Sequence, residues 1–238
     1  MNKDLSFLKE NVIAHRGVFD NKKIPENSIK AFKDAISKNY VIELDVHLTI
    51  DGKVVVFHDD TLERMTNKKG DIKDFTFEEL RKTKLLDTNY TIPSFEEVLD
   101  IVNGKVPLLI ELKYDVKKHK LEKKLIEILD KYNGEFAIQS FSPSIVRYFR
   151  VHRNNIIRGL LVSSKRENFL EKISNSMIFI PYCKPDFLSI EKNLYNNSKV
   201  KKFRKNKLVL AWTMKSKDDV KKYKGTVDNL ICNIDFIK

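Results

Sequence analysis

Short apolar runs alternate along the chain with segments whose apolar residues recur at three- and four-residue spacing. The runs are Val12-Ile13-Ala14, Tyr40 to Ile50, Pro107 to Lys113, Phe136 to Ser140, Ile157 to Val162, Phe187 to Ile190, Leu208 to Thr213 and Asn229 to Ile234. Their brevity and flanking polar residues predict buried strands. Ile29, Phe32, Ala35 and Ile36 predict an amphipathic helix with Asn27 or Ser28 as its cap, and Leu121, Leu125, Ile128 and Leu129 predict another. Ser216, followed by Asp219, resembles a further helix start. Such alternation of strand and helix predicts an α/β fold.

One run breaks the rhythm. Val54 to Phe57 follows the second strand after only Asp51-Gly52, and so short a turn joins only antiparallel strands. Setting it aside leaves eight candidates, the number that closes a (β/α)8 TIM barrel. The expected organisation is a single domain over residues 1–238 with a small insertion at about 60–93, after the second strand. Thr76-Phe77-Glu78-Glu79 is a capping-box pattern for a short helix inside it, and Ser94-Phe95-Glu96-Glu97 starts the next helix. An insertion at the top of a barrel strand is either a lid over the site or a passive surface excursion.

Composition narrows the picture modestly. A chain of 238 residues with 42% apolar and 33% charged residues fits a globular domain with a full core. The net charge of +12 suits an anionic partner, but the lysines are spread along the whole chain, which fits solvated helix faces better than a nucleic-acid stripe. Cys183 and Cys232 make neither a metal-ligand spacing nor a disulfide framework. Charged residues at Lys3, Asp4, Lys9 and Glu10 leave no signal-peptide apolar region, and no apolar run reaches the roughly 20 residues of a membrane span. The expectation is a cytoplasmic protein with no transmembrane segment; oligomeric state is not legible.

The chemistry lies at strand ends. In Val41 to Leu48, side-chain alternation puts Glu43, Asp45 and His47 on one face and Ile42, Leu44, Val46 and Leu48 on the other. A half-exposed strand has the same pattern. In a barrel, however, the inner face is enclosed, and two carboxylates there repel unless a cation neutralises them. A two-residue Asp51-Gly52 turn pairs Ile50 with Lys53, which places Asp45 opposite His58. Pro107 to Lys113 ends with Glu111 and Lys113 on one face. Glu43, Asp45 and Glu111 together suit a hard divalent cation, Mg2+ or Ca2+, and Lys113 would balance a phosphate. His15 and Arg16, after the first strand, offer proton transfer and phosphate recognition, or else a structural His beside a surface Arg.

These residues resemble an ordered family signature. His15-Arg16-Gly17, Glu26-Asn27-Ser28, Glu43-x-Asp45, His58-Asp59 and Glu111-x-Lys113 follow the pattern of glycerophosphodiester phosphodiesterases. The likeness continues through Asp51-Gly52, Thr61-Leu62-x-Arg64-x-Thr66, Gly70, Ile92-Pro93-Ser94 and Gln139-Ser140-Phe141, so it covers nearly the whole chain. It implies a (β/α)8 barrel with an insertion after the second strand. It also implies one divalent metal (Mg2+ or Ca2+, with Mn2+ as an alternative) on Glu43, Asp45 and Glu111. His15 and His58 would be the acid–base pair, and Arg16 and Lys113 the phosphate ligands. Glu26 would orient Arg16, Asn27 would help close the site, and Trp212 would either pack on a glycerol moiety or fill the barrel top. The implied reaction cleaves a small glycerophosphodiester into glycerol 3-phosphate and an alcohol. Two places depart from the pattern. Met214 and Lys215 follow Trp212-Thr213 where an apolar residue and Asn are usual, and Asp228-Asn229-Leu230-Ile231-Cys232-Asn233 stands where Asp-Gly, two apolar residues and Thr-Asp are usual. Competing readings are lysophospholipase D-type activity on lysolipids, with Phe75, Phe77 and Leu80 as an apolar lid, and an idle binder of anionic headgroups or nucleic acid.

Overall fold

The computed structural model describes residues 3–114, 119–164 and 177–234. Nine strands form one sheet: β1 (Ile13–His15), β2 (Val41–Leu48), β3 (Val54–Val56), β4 (Leu108–Leu112), β5 (Phe136–Ser140), β6 (Ile157–Val162), β7 (Phe187–Glu191), β8 (Leu208–Met214) and β9 (Asn229–Cys232). All but β3 run parallel, and β1 pairs with both β2 and β9, so eight strands close into a (β/α)8 barrel. Each is one of the expected strands, with ends shifted by a residue or two.

Helices follow strands because the sequence alternates the two periodicities. Helix α1 (Ser6–Glu10) precedes β1 and sends Phe7 and Leu8 into the barrel interior. Helix α2 (Ile29–Ser37) is capped by Ser28, whose side chain accepts from the Ala31 N–H; Asn27, the other expected cap, points elsewhere. The Thr76 and Ser94 capping boxes both form, on α3 (Phe77–Arg81) and α4 (Phe95–Val102). The outer faces of α2, α4, α5 (Lys120–Leu129) and α6 (Pro143–His152) are polar, and their inner faces pack on outward-facing barrel residues such as Ile42, Leu44, Ile110 and Ile138.

The barrel interior is layered. Its lower part is apolar, built from Ile13, Val41, Leu109, Ala137, Ile157, Phe187, Leu210 and Ile231. One side-chain repeat higher come His15, Glu43, Glu111 and Gln139, with Asp45 beyond. The register aligns His15 with Glu43, Asp45 with Glu111 and Glu111 with Gln139. On the strands that carry Ile13, Val41, Leu109 and Ala137, a period of two therefore leads from an apolar plug residue to a polar one at the C-terminal mouth.

The hairpin differs from its expected register. Val46 pairs with Val56 and Leu48 with Val54, and Thr49 exchanges hydrogen bonds with Lys53, so the loop is Ile50-Asp51-Gly52, three residues rather than two. A two-residue type I′ turn needs positive φ at both central residues; here only Gly52 has it, at +79°. Asp45 consequently lies opposite Phe57, whose N–H donates to the Asp45 carbonyl at 3.0 Å, and not opposite His58. Beyond β3, residues 60–92 pack around their own apolar cluster of Leu62, Met65, Ile72, Phe77, Leu80, Leu85 and Ile92, joined by Val55 and Phe57. Phe77 and Leu80 are buried in it and Phe75 packs against it, so they do not form an exposed apolar lid surface.

Candidate active site

Glu43 and Asp45 rise from β2 and Glu111 from β4, and one carboxylate oxygen of each lies within 4.8 Å of the others. All are buried, at 2%, 1% and 7% exposure. Burial, then the neighbouring Asp45 and Glu111, pushes the Glu43 pKa well up. Burial also raises Glu111, although Lys113 opposes it. Asp45 moves the other way: burial would raise it, but Lys113, His58 and Arg16 hold it well down. Lys113 Nζ bridges Asp45 Oδ1 at 2.7 Å and Glu111 Oε1 at 2.5 Å. Such a donor set, all oxygen and short of positive charge, fits a hard divalent cation.

Arg16 sits where β1 ends. Its φ of +56° and that of Gly17, +82°, turn the chain sharply. A Cβ on Gly17 would stand 2.9 Å from the Ala31 main chain, so α2 packs where only glycine fits. The turn lets the Arg16 N–H donate to Glu43 Oε2 at 3.1 Å, and Nη1 donate to Glu26 Oε1 at 2.7 Å. Arg16 Nε is buried without a hydrogen-bond acceptor among the described residues, 3.6 Å from Asp45 Oδ2. Glu26 also receives Arg64 Nη2 at 2.6 Å and Asn21 Nδ2 at 2.9 Å. Burial would raise Glu26, but these cations and hydrogen bonds hold it at about 2. Asn27 Nδ2 donates to Asp45 Oδ2 at 2.9 Å.

Both candidate imidazoles reach this mouth. His15 Nδ1 lies 2.9 Å from Asn233 Oδ1, and desolvation, helped by Arg16, pushes its pKa down to about 3. His58, beyond β3, has Nδ1 2.5 Å from Asp59 Oδ1, and Asp59 is held in turn by Arg64. His47 shares the face of Asp45, but its Nε2 turns to the His58 carbonyl at 3.4 Å. A small cavity of about 120 Å3 is lined by His15, Arg16, Glu43, His58, Glu111, Gln139, Phe141 and Trp212, among others. Trp212 stands on its wall, with Nε1 donating to the Ser189 carbonyl at 3.0 Å and its ring edge-on to Phe141. A larger cavity, about 650 Å3, shares His58, Glu111 and Phe141 and opens past Lys113, Asp60, Asp71 and Tyr114.

A model of the glycerophosphoryl diester phosphodiesterase family matches residues 15–233. The chain belongs to that family. It is 40% identical over 168 residues to a glycerophosphodiester phosphodiesterase of Caldanaerobacter subterraneus, spanning 65% of this chain and 67% of the relative. It is 34% identical over 242 residues to the YhdW protein of Bacillus subtilis, spanning 95% and 96%. A phosphodiesterase of Oleispira antarctica, solved with the product sn-glycerol-3-phosphate, shares the fold at a TM-score of 0.81 and 23% identity, over 95% of this chain and 94% of that one. This family member is thus a phosphoric diester hydrolase by class. Among its described residues no helix is long and apolar enough to cross a membrane.

Three neighbours of the site, quoted above only in the family comparison, make contacts that strand and helix periodicity does not announce. Arg64 lies in the insertion, where no periodicity marks it, yet it clasps Glu26 and Asp59. Gln139 donates Nε2 to Glu43 Oε1 at 3.3 Å; its place in the Gln139-Ser140-Phe141 likeness, on the inward face of β5, was the available signal. Asn233, one of the residues that depart from the family pattern, is the partner of His15. The other departure lies just behind: Met214 is buried and its carbonyl accepts from the Asn233 N–H at 2.9 Å, while the Lys215 N–H, ahead of the helix cap Ser216, donates to Asp219 Oδ2 at 2.9 Å.

Proposed function

We propose that this chain hydrolyses small glycerophosphodiesters to glycerol 3-phosphate and an alcohol, using one divalent cation and two histidines. The observation that carries this reading is the convergence of three buried carboxylates, two cations and two imidazoles at one barrel mouth. Glu43, Asp45 and Glu111 would hold the cation. A bound Mg2+, Ca2+ or Mn2+ supplies Lewis acidity toward a nonbridging phosphate oxygen. Arg16, aimed by Glu26, offers the unpartnered Nε to the phosphate, and Lys113 adds a second positive charge beside it. Asn27 fixes Asp45.

His15, desolvated and neutral, takes the proton from the attacking hydroxyl, and His58 gives one to the leaving alkoxide. The attacking oxygen belongs to water or to the adjacent glycerol hydroxyl, which proceeds through a cyclic phosphate. The small cavity beside Trp212 suits the glycerol arm, and the larger one the alcohol. The alternative on lysolipids gains no support from Phe77 and Leu80, which are packed inside the insertion.

The test is release of glycerol 3-phosphate from several glycerophosphodiesters, with EDTA and then with Mg2+, Mn2+ or Ca2+ restored. Turnover should vanish with EDTA and return with one of the ions. His15→Ala and His58→Ala should each lower kcat by about 100-fold or more. Metal-independent turnover, or undiminished rates in both variants, refutes the reading.

A further inference from the structure

The last strand closes on the first, and that seam brings together two residues at opposite ends of the chain. β9 pairs with β1 through Ile13 with Ile231 and Ala14 with Cys232. The next step along both strands places His15 beside Asn233. The Asn233 N–H also donates to the Met214 carbonyl at 2.9 Å, so its backbone is pinned from β8 as well. Its side-chain Oδ1 meets His15 Nδ1 at 2.9 Å, while no hydrogen bond to His15 Nε2 is found among the described residues.

From this geometry we infer that Asn233 is a positioning residue: it holds the His15 proton on Nδ1 and leaves the Nε2 lone pair facing the small cavity. A neutral imidazole carries one N–H, and the hydrogen bond at one nitrogen decides which. An amide oxygen can only accept, so Nδ1 must donate to it. With that proton on Nδ1, the lone pair left at Nε2 is what a proton acceptor requires.

This chain has an amide at 233 where the family signature usually ends in Asp, and the two side chains differ in charge. Glu43 lies next to His15 in register, and Asp45 and Glu111 complete a crowded set of buried carboxylates. An Asp at 233 would fix the same tautomer but bring a fourth negative charge to the mouth. The Asn does the orienting without it. His58 is treated differently, since its Nδ1 partner is the Asp59 carboxylate, already paired with Arg64 on the outer side. The two imidazoles are therefore oriented by partners of different charge.

The inference rests on the proposed role of His15 only for its kinetic arm. Nitrogen-15 NMR of the imidazoles in the full chain, assigned with His15→Gln and recorded without substrate, reads the tautomer directly. The wild type should show His15 protonated at Nδ1. Asn233→Leu should convert it to the Nε2–H form or a mixture and lower kcat by about 100-fold with little change in KM. Asn233→Asp should restore the Nδ1–H tautomer and most of kcat; Asn233→Ser replaces the Leu variant if that does not fold. A wild-type ring protonated at Nε2 would mean that the amide presents its NH2 and overturns the inference. So would an unchanged tautomer in Asn233→Leu. Failure of the wild type to release glycerol 3-phosphate from any glycerophosphodiester would sink the proposed function instead, and the NMR result would still decide the role of Asn233.

Discussion

Lys113 occupies a telling position, because its ammonium already sits between two of the carboxylates that would hold a metal. Its Nζ lies 2.7 Å from Asp45 Oδ1, so a cation entering the cluster meets a resident positive charge. Lys113→Met removes that competitor. Mn2+ affinity, measured by calorimetry without substrate, should rise by about tenfold, equal to roughly 1.4 kcal/mol, while turnover falls for want of a phosphate ligand. Unchanged or weaker Mn2+ binding would show that Lys113 does not oppose the ion. Glu26 gives a pH-dependent prediction. Its folded pKa of about 2 lies below the ordinary 4.5, so the folded state binds the proton less readily than the unfolded chain. Its contribution is complete above about 4.5 and is lost as pH falls toward 2. By linkage it amounts to about 3 kcal/mol. Urea denaturation of Glu26→Gln should show a shallower loss of stability over that window than the wild type, and parallel curves would disprove the clasp.

At the level of single elements, the chain carried most of its own instructions. Ser28, Thr76, Ser94 and Ser216 each cap the helix that their spacing announced. These are local hydrogen bonds, made within three residues, and so need no tertiary information. The hairpin was less legible. Asp51-Gly52 advertises a two-residue turn, but the Asp51 carboxylate accepts from Thr49 Oγ1 at 2.5 Å and from the Phe77 N–H at 3.2 Å. That ties the turn to α3 and belongs to the three-residue loop. Gly17 offers a test at this scale. Gly17→Ala combines a positive φ with a Cβ 2.9 Å from the Ala31 main chain. It should destabilise the protein by about 1–3 kcal/mol and displace α2 from β1. Equal thermal stability would show that the close approach is dispensable.

The whole barrel depends on complementary volumes in its interior. Gly159 of β6 leaves room for the fully buried Phe187 of β7; a Cβ there would stand 2.2 Å from the ring. Gly159→Ala should therefore lower stability by about 1–3 kcal/mol through overpacking, read from chemical denaturation. Gly159→Ala with Phe187→Leu should recover part of it, since the smaller side chain gives back the space. Non-recovery in the double variant would place the fault in the backbone instead. Neither residue lines either cavity at the mouth, so the charge cluster above should keep its metal affinity in the double variant.

The sequence by itself determined the eight strands, the helix caps, the inward facing of Glu43, Asp45, Glu111 and Lys113, and through them the family's chemistry. Each of these follows from a local period or a short motif. Only the tertiary structure decided the hairpin register, the pairing of Asn233 with His15 and the reach of Arg64 from the insertion to Glu26 and Asp59. Those contacts join residues set by loop geometry or by closure of the barrel seam. No periodicity along one strand or helix encodes them, because their partners are chosen by three-dimensional closure rather than by spacing in the chain.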